Sequence, residues 1–170
     1  MENNYNEIKI RRMSLCDAVA ISDIYNYYVE NTDVTFETIA VSETDMRERI
    51  KEIIDSGNPA YVVEVDGKMA GYCYMHLWKE RAAYSFSKEV SIYLHKDIRG
   101  KGIGGLLYNH LLKSVDSKNT HVLMAIITVP NNVSVNLHEK FGFKQVGYMR
   151  QVGWKFGEWR DVGYWELIID

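Results

Sequence analysis

Arg99-Gly100-Lys101-Gly102-Ile103-Gly104 sets three glycines within five residues, between and beside two cations. Backbone amides freed by glycine can converge on one point, and a helix opening directly after them adds its own N–H groups. That pattern fits a phosphate-bearing ligand. A tight strand-to-helix connection, in which glycine only supplies positive φ, fits it too. Two further groups could move protons: the carboxylate of Glu89, just upstream, and the imidazole of His138, which titrates near neutrality. The Walker pattern fails because no Gly-Lys-Ser/Thr closes the loop. Gly100, Gly102 and Gly105 do satisfy G-x-G-x-x-G. Against a dinucleotide, His95 to Ile98 separates the strand from the glycines, and Ala125-Ile126-Ile127-Thr128 lacks the acid that would hold a ribose.

The elements that must position these residues read as follows. Glu7 to Arg12 alternates as a first strand. Ser14-Leu15-Cys16-Asp17 resembles a capping box before a helix with Val19, Ile21, Ile24, Tyr25 and Tyr28 on its apolar positions. Ser42 caps a second helix with Met46, Ile50, Ile53 and Ile54 inward. Tyr61 to Val65 and Met69 to Leu77 flank Asp66-Gly67, a strong hairpin signal. Glu89 to His95 is a strand with Val90, Ile92 and Leu94 on one side and Glu89, Ser91 and Tyr93 on the other. The glycine loop then opens a helix carrying Ile103, Leu106, Leu107, Leu111 and Val115. His121 to Val129 reads as a buried strand and Asn131 to Lys140 as a short helix. Phe143 to Val152 and Val162 to Ile169 close the sheet. The expected fold is a single α/β domain over residues 1–170, with a mixed, mostly antiparallel sheet of about seven strands and about four helices on both faces.

Composition narrows the function classes. With 46% hydrophobic and 25% charged residues and a net charge of −3, the pI of about 6.0 leaves no basic footprint for nucleic acid. No apolar run approaches the length of a membrane span. Cys16 and Cys73 have no CxxC partner or nearby histidine, so no metal site is expected. Met1 to Glu7 is polar, and a reducing cytoplasm is the expected compartment. The aromatic-rich end (Trp154, Phe156, Trp159, Trp165) reads as buried surface, internal or between two copies, and a homodimer is expected.

Arg99, Gly102 and Gly104 match the Arg/Gln-x-x-Gly-x-Gly/Ala signature of the GNAT superfamily of acetyl-CoA-dependent N-acetyltransferases. Asn131 to Phe143 is similar to that family's second conserved segment, and the order of elements agrees from end to end. Trp78 to Tyr84, Glu89 to Leu94, Leu137-His138-Glu139 and Trp159 to Trp165 resemble the phosphinothricin and methionine-sulfoximine acetyltransferase branch. Ser87-Lys88 departs from that branch, where threonine and a smaller apolar residue would precede Glu89; Lys88 either competes for Glu89 or points outward.

The resemblance implies acetyl-CoA as co-substrate and the α-amine of a small amino-acid analogue as acceptor. Glu89 would be the general base; spacing alone makes it a polar residue on a solvated strand face. His138 stands where many members carry tyrosine. It would protonate the leaving thiolate or help deprotonate the amine, unless it is simply packed. Ile92, Tyr93 and Leu94 would pair with the pantetheine arm as a strand would. Arg99, Gly100, Lys101, Gly102, Ile103 and Gly104 would hold the pyrophosphate. Asn131 would bond the cofactor arm or cap its helix. Arg81 would grip a substrate carboxylate, or is an ordinary loop arginine. Phe36, Tyr84 and Trp78 would wall an apolar slot, although core packing explains Phe36 as well. His76, His95, His110 and His121 read as structural. The alternatives are another amine acceptor (a protein N-terminus or a polyamine) and a CoA-binding module without chemistry.

Overall fold

The computed structural model describes residues 7–98 and 101–169. In chain order the elements are β1 (Ile8–Arg12), α1 (Ala18–Asn31), α2 (Glu43–Asp55), β2 (Ala60–Val65), β3 (Lys68–Leu77), β4 (Ser87–Leu94), α3 (Ile103–Lys113), β5 (Val122–Val129), α4 (Asn132–Lys140), β6 (Lys144–Lys155) and β7 (Glu158–Ile168). Seven strands hydrogen-bond in the order β1-β2-β3-β4-β5-β7-β6. The β4–β5 pair is parallel, with α3 as its crossover, and β1–β2, β2–β3, β5–β7 and β6–β7 are antiparallel. This is the expected mixed sheet. A helix crossover is what the parallel pair requires, while β2–β3 and β6–β7 are hairpins.

Contacts group the chain into two compact units. The first comprises residues up to 26, 41–76 and 91–115. Its core contains Ile21, Ile50, Val62, Val63, Met75, Leu107 and Leu111. Ser14 donates its N–H and hydroxyl to Asp17 Oδ2 (2.8 and 3.0 Å), so the predicted box forms, but it heads a 3₁₀ turn (Leu15–Asp17) before α1. Burial alone would raise the Asp17 carboxyl; hydrogen bonds from Arg11 and Ser14 outweigh it and hold the pKa below the usual carboxylate value. Gly71 lets β3 approach β4, since a Cβ there would lie 2.7 Å from the Tyr93 carbonyl oxygen. Tyr93 meets Tyr25 edge-on at 5.2 Å and stacks on Tyr72 at 5.4 Å.

The second unit comprises residues 27–40, 77–90 and 116 onward, and buries Leu123, Ala125, Ile127, Phe143, Val162 and Trp165. Its last hairpin is longer than the sequence pattern suggests. Lys155 pairs with Glu158 around Phe156-Gly157, both at positive φ (53° and 78°), the signature of a type I′ turn. Phenylalanine is a poor marker for that turn. Hence the predicted boundaries at Val152 and Val162 fall short.

Some predicted core positions are exposed. Val19 lies about 200° around the helix from Ile21, off the buried arc, and Leu106 is one step off the Ile103–Leu107–Leu111 row. Ile54 falls in the last turn of α2, and Ile126 in β5 is also exposed. Among the terminal aromatics only Trp165 is buried; Trp154, Phe156 and Trp159 are each 56% exposed.

Candidate active site

In the first unit, the N-cap of α3 is Gly102, whose φ of +81° suits glycine and which offers no side chain to cap the helix. A glycine at this position supplies none of the Ser, Thr, Asp or Asn oxygens that usually cap first-turn N–H groups, which suits a helix N-terminus to an anion. Lys101 and Gly102 are exposed beside it. Arg99 and Gly100, the opening residues of the predicted nest, lie outside the described residues. Gly104 does something the sequence did not suggest. A Cβ there would lie 3.0 Å from Leu94 Cδ1, so the glycine lets α3 pack on the end of β4. Ile103 is core, while Ile92, Tyr93 and Leu94 are half-buried.

The second unit holds the remaining candidates in separate groups. On β4, Ser87, Lys88 and Glu89 pair with Val122, Leu123 and Met124 of β5. Glu89 is half-buried at the last of these pairs, not on an open solvated face. Lys88 donates to the Ser85 carbonyl at 2.7 Å, and burial lowers its ammonium pKa. Lys88 is thereby fastened to its own turn.

Arg81 is exposed and caps a 3₁₀ turn (Ala82–Tyr84), with Tyr84 N–H donating to its carbonyl at 2.8 Å. Trp78 and Tyr84 meet edge-on at 5.2 Å, with Lys79 Nζ 4.5 Å from the Trp78 ring centroid. The turn thus gathers Trp78, Lys79, Arg81 and Tyr84.

Asn131 accepts from Ser134 N–H at 3.1 Å and so caps α4, the local reading of that residue. Its amide N–H₂ is chemically distinct from that acceptor and can still donate. His138 is 3% exposed, with Nδ1 2.8 Å from the Ser134 carbonyl oxygen. A carbonyl only accepts, so Nδ1 carries the proton and Nε2 the lone pair. Burial lowers the imidazole pKa, partly opposed by the Ser134 carbonyl. Spacing of i and i−4 on one helix was the available signal for this pairing. Trp165 Nε1 donates to Glu139 at 3.1 Å and pins the same helix to β7.

Phe36 sits with residues that sequence reasoning missed. A Cβ at Gly153 would lie 2.2 Å from its Cε2, so the ring rests on that glycine. Lys155 Nζ donates to the Thr35 carbonyl at 2.7 Å, and Arg160 Nε pairs with Asp33 at 2.9 Å. Among the described residues, no group of three or more His, Cys, Asp or Glu is arranged to hold a metal ion. No helix among them is long and apolar enough to cross a membrane.

A mixed sheet with a parallel β4–β5 pair joined through α3 is the fold shared with solved enzymes of the acetyltransferase class. The acetyltransferase (GNAT) domain model matches residues 10–163, and the chain belongs to that family. It is 36% identical over 159 residues to a phosphinothricin N-acetyltransferase from Streptomyces viridochromogenes, covering 94% of this chain and 86% of that one. An L-methionine sulfoximine/L-methionine sulfone acetyltransferase from Salmonella typhimurium is 32% identical, covering 95% and 94%. The solved phosphinothricin acetyltransferase from Sinorhizobium meliloti in complex with acetyl-CoA superposes with a TM-score of 0.91 at 32% identity, covering 95% and 88%. The glycine-capped α3 terminus, with the exposed cation Lys101 before it, suits an anion such as the pyrophosphate of that cofactor.

Proposed function

We propose that the chain is an N-acetyltransferase moving acetyl from acetyl-CoA to the α-amine of a small amino-acid analogue of the phosphinothricin, methionine sulfoximine or methionine sulfone type. The observation that carries this reading is the 36% identity across 94% of the chain to an enzyme named for such an acceptor. When bound, acetyl-CoA supplies an acetyl group activated as a thioester. Arg99 to Gly104 hold its pyrophosphate, and the backbone of Ile92 to Leu94 pairs with the pantetheine arm. Glu89 takes the proton that the acceptor ammonium must lose, directly or through water. His138, neutral with its lone pair on Nε2, accepts a proton and does not donate one from that atom, which favours help in deprotonation over protonation of the thiolate. Arg81 grips the acceptor carboxylate. Tyr84 and Phe36 wall its side chain.

Residues 1–170 act as one domain, a reading supported by a family match that runs through both compact units. A homodimer is supported by the exposed Val146, Tyr148, Met149, Val152, Trp154 and Trp159 of β6 and β7. Two unbridged cysteines fit the cytoplasm.

The test is CoA release with an acceptor panel: methionine sulfone, methionine sulfoximine, phosphinothricin, ordinary amino acids, spermidine and an N-terminal peptide. The analogues turn over fastest, and Glu89→Gln lowers kcat by about 10² with acetyl-CoA affinity unchanged. Faster turnover of spermidine or the peptide overturns the acceptor assignment. Full activity of Glu89→Gln from pH 6 to 9 removes Glu89 from the chemistry.

A further inference from the structure

We propose that the β6–β7 hairpin sets the enzyme's selectivity for the acceptor side chain by clamping the loop of residues 32–37, with Lys155 and Arg160 as positioning residues and Gly153 as the seat of the Phe36 ring. This rests on the reading that Phe36 walls the acceptor slot.

Three fastenings of different chemistry run from one hairpin face to one short loop. Arg160 Nε holds Asp33 at 2.9 Å, while its Nη1 holds Glu158 at 2.6 Å. Lys155 Nζ donates to the Thr35 carbonyl at 2.7 Å. Phe36 lies on Gly153, where any Cβ would fall within 2.2–2.3 Å of ring carbons. Gly153 pairs with Arg160 across the ladder, and Lys155 is two residues beyond Gly153. Strand alternation therefore puts all three on the same face, with Trp154 and Trp159 on the other.

The loop is stiffened from within as well. Thr32 Oγ1 donates to the Tyr28 carbonyl at 2.9 Å, and Val34 N–H donates to Thr32 Oγ1 at 3.3 Å.

Lys155 is the informative member. It is 2% exposed, and burial lowers its ammonium pKa against the raising influence of Asp33 and Glu37. An ammonium out of water is costly, and stability alone is served as well by an apolar side chain of the same length. What lysine adds is a directional donor that fixes the carbonyl immediately before Phe36. Thr35 and Phe36 are consecutive, so holding one carbonyl orients the next side chain. The ring then settles against Gly153, in the space a Cβ would fill.

The experiment is a double-mutant cycle. Lys155→Met, Arg160→Gln and Gly153→Ala are each made in the wild type and in Phe36→Ala. Acceptor KM and kcat are measured with methionine sulfone and with alanine, alongside acetyl-CoA KM and Tm. Each single variant raises KM for methionine sulfone about fivefold or more over its effect on alanine, with acetyl-CoA KM unchanged. In the Phe36→Ala background the same substitutions shift that ratio less than about twofold. Arg160→Lys, which keeps a cation beside Asp33, recovers part of the loss.

Equal penalties in both backgrounds, or equal losses with both acceptors, overturn the clamp and leave these residues purely structural. Should Lys155→Met not fold, Arg160→Gln and Gly153→Ala decide the matter by the same criteria. A wild type inactive toward every amino-acid analogue overturns the acceptor assignment and the clamp together. An active wild type with additive double mutants overturns the clamp alone.

Discussion

The proton on His138 is placed by a neighbour four residues back on its own helix. With Nδ1 committed to the Ser134 carbonyl and the ring buried, the imidazole is neutral at pH 7. Its pKa in the folded chain lies below the value near 6.5 that it has unfolded. Between those two values the unfolded chain binds more protons, so the stabilisation is complete above about pH 6.5 and erodes as pH falls toward the folded value. His138→Gln keeps a polar side chain without titrating. Its urea midpoint falls less than that of the wild type between pH 7.5 and pH 5. Parallel midpoint curves for the two proteins across that range would show that His138 is not the titrating group. The same neutral, Nδ1-protonated state is what a proton acceptor at Nε2 requires, so fold stability and the proposed chemistry depend on one hydrogen bond.

Elements were legible where local chemistry alone determines them. The hairpin at Asp66-Gly67, the Ser42 cap and the glycine opening of α3 each follow from a few consecutive residues. The β6–β7 hairpin was only half legible, because Phe156-Gly157 supplies positive φ without an asparagine or aspartate to announce it. The clamp on Phe36 was not legible at all. Lys155 and Thr35 are 120 residues apart in sequence, and nothing near either one signals the other. The α3 opening can be tested directly. Gly102 stands at φ +81°, where a β-branched side chain is strained by roughly 1–2 kcal/mol and would crowd the amides of the first turn. Gly102→Val weakens acetyl-CoA binding by tenfold or more in calorimetry, given that each tenfold is about 1.4 kcal/mol, while the fold persists. Gly102→Asn, tolerated in that backbone region, loses less. Unchanged affinity in the valine variant would remove this helix end from pyrophosphate binding.

At the scale of the whole molecule, each compact unit is assembled from separated stretches of chain, so neither can be excised as a contiguous segment. The predicted Glu89 lies in one unit, and the Ile92 to Leu94 backbone in the other, on a single continuous strand. The hairpin faces carry the remaining argument. One face clamps the Phe36 loop; the other displays Trp154 and Trp159, whose rings meet across the strands at 5.0 Å while each stays 56% exposed. An exposed tryptophan pair is an apolar surface that a monomer rarely leaves to water, and aromatic residues are enriched at protein interfaces. Sedimentation equilibrium at low micromolar protein therefore gives a dimer. Trp154→Glu with Trp159→Glu shifts it to monomer, because a carboxylate on each strand makes the surface costly to bury. The far-ultraviolet dichroism of that variant stays that of the wild type, since both side chains lie outside the core. A wild type that sediments as a monomer, or a double variant that remains dimeric, assigns this face to some other role.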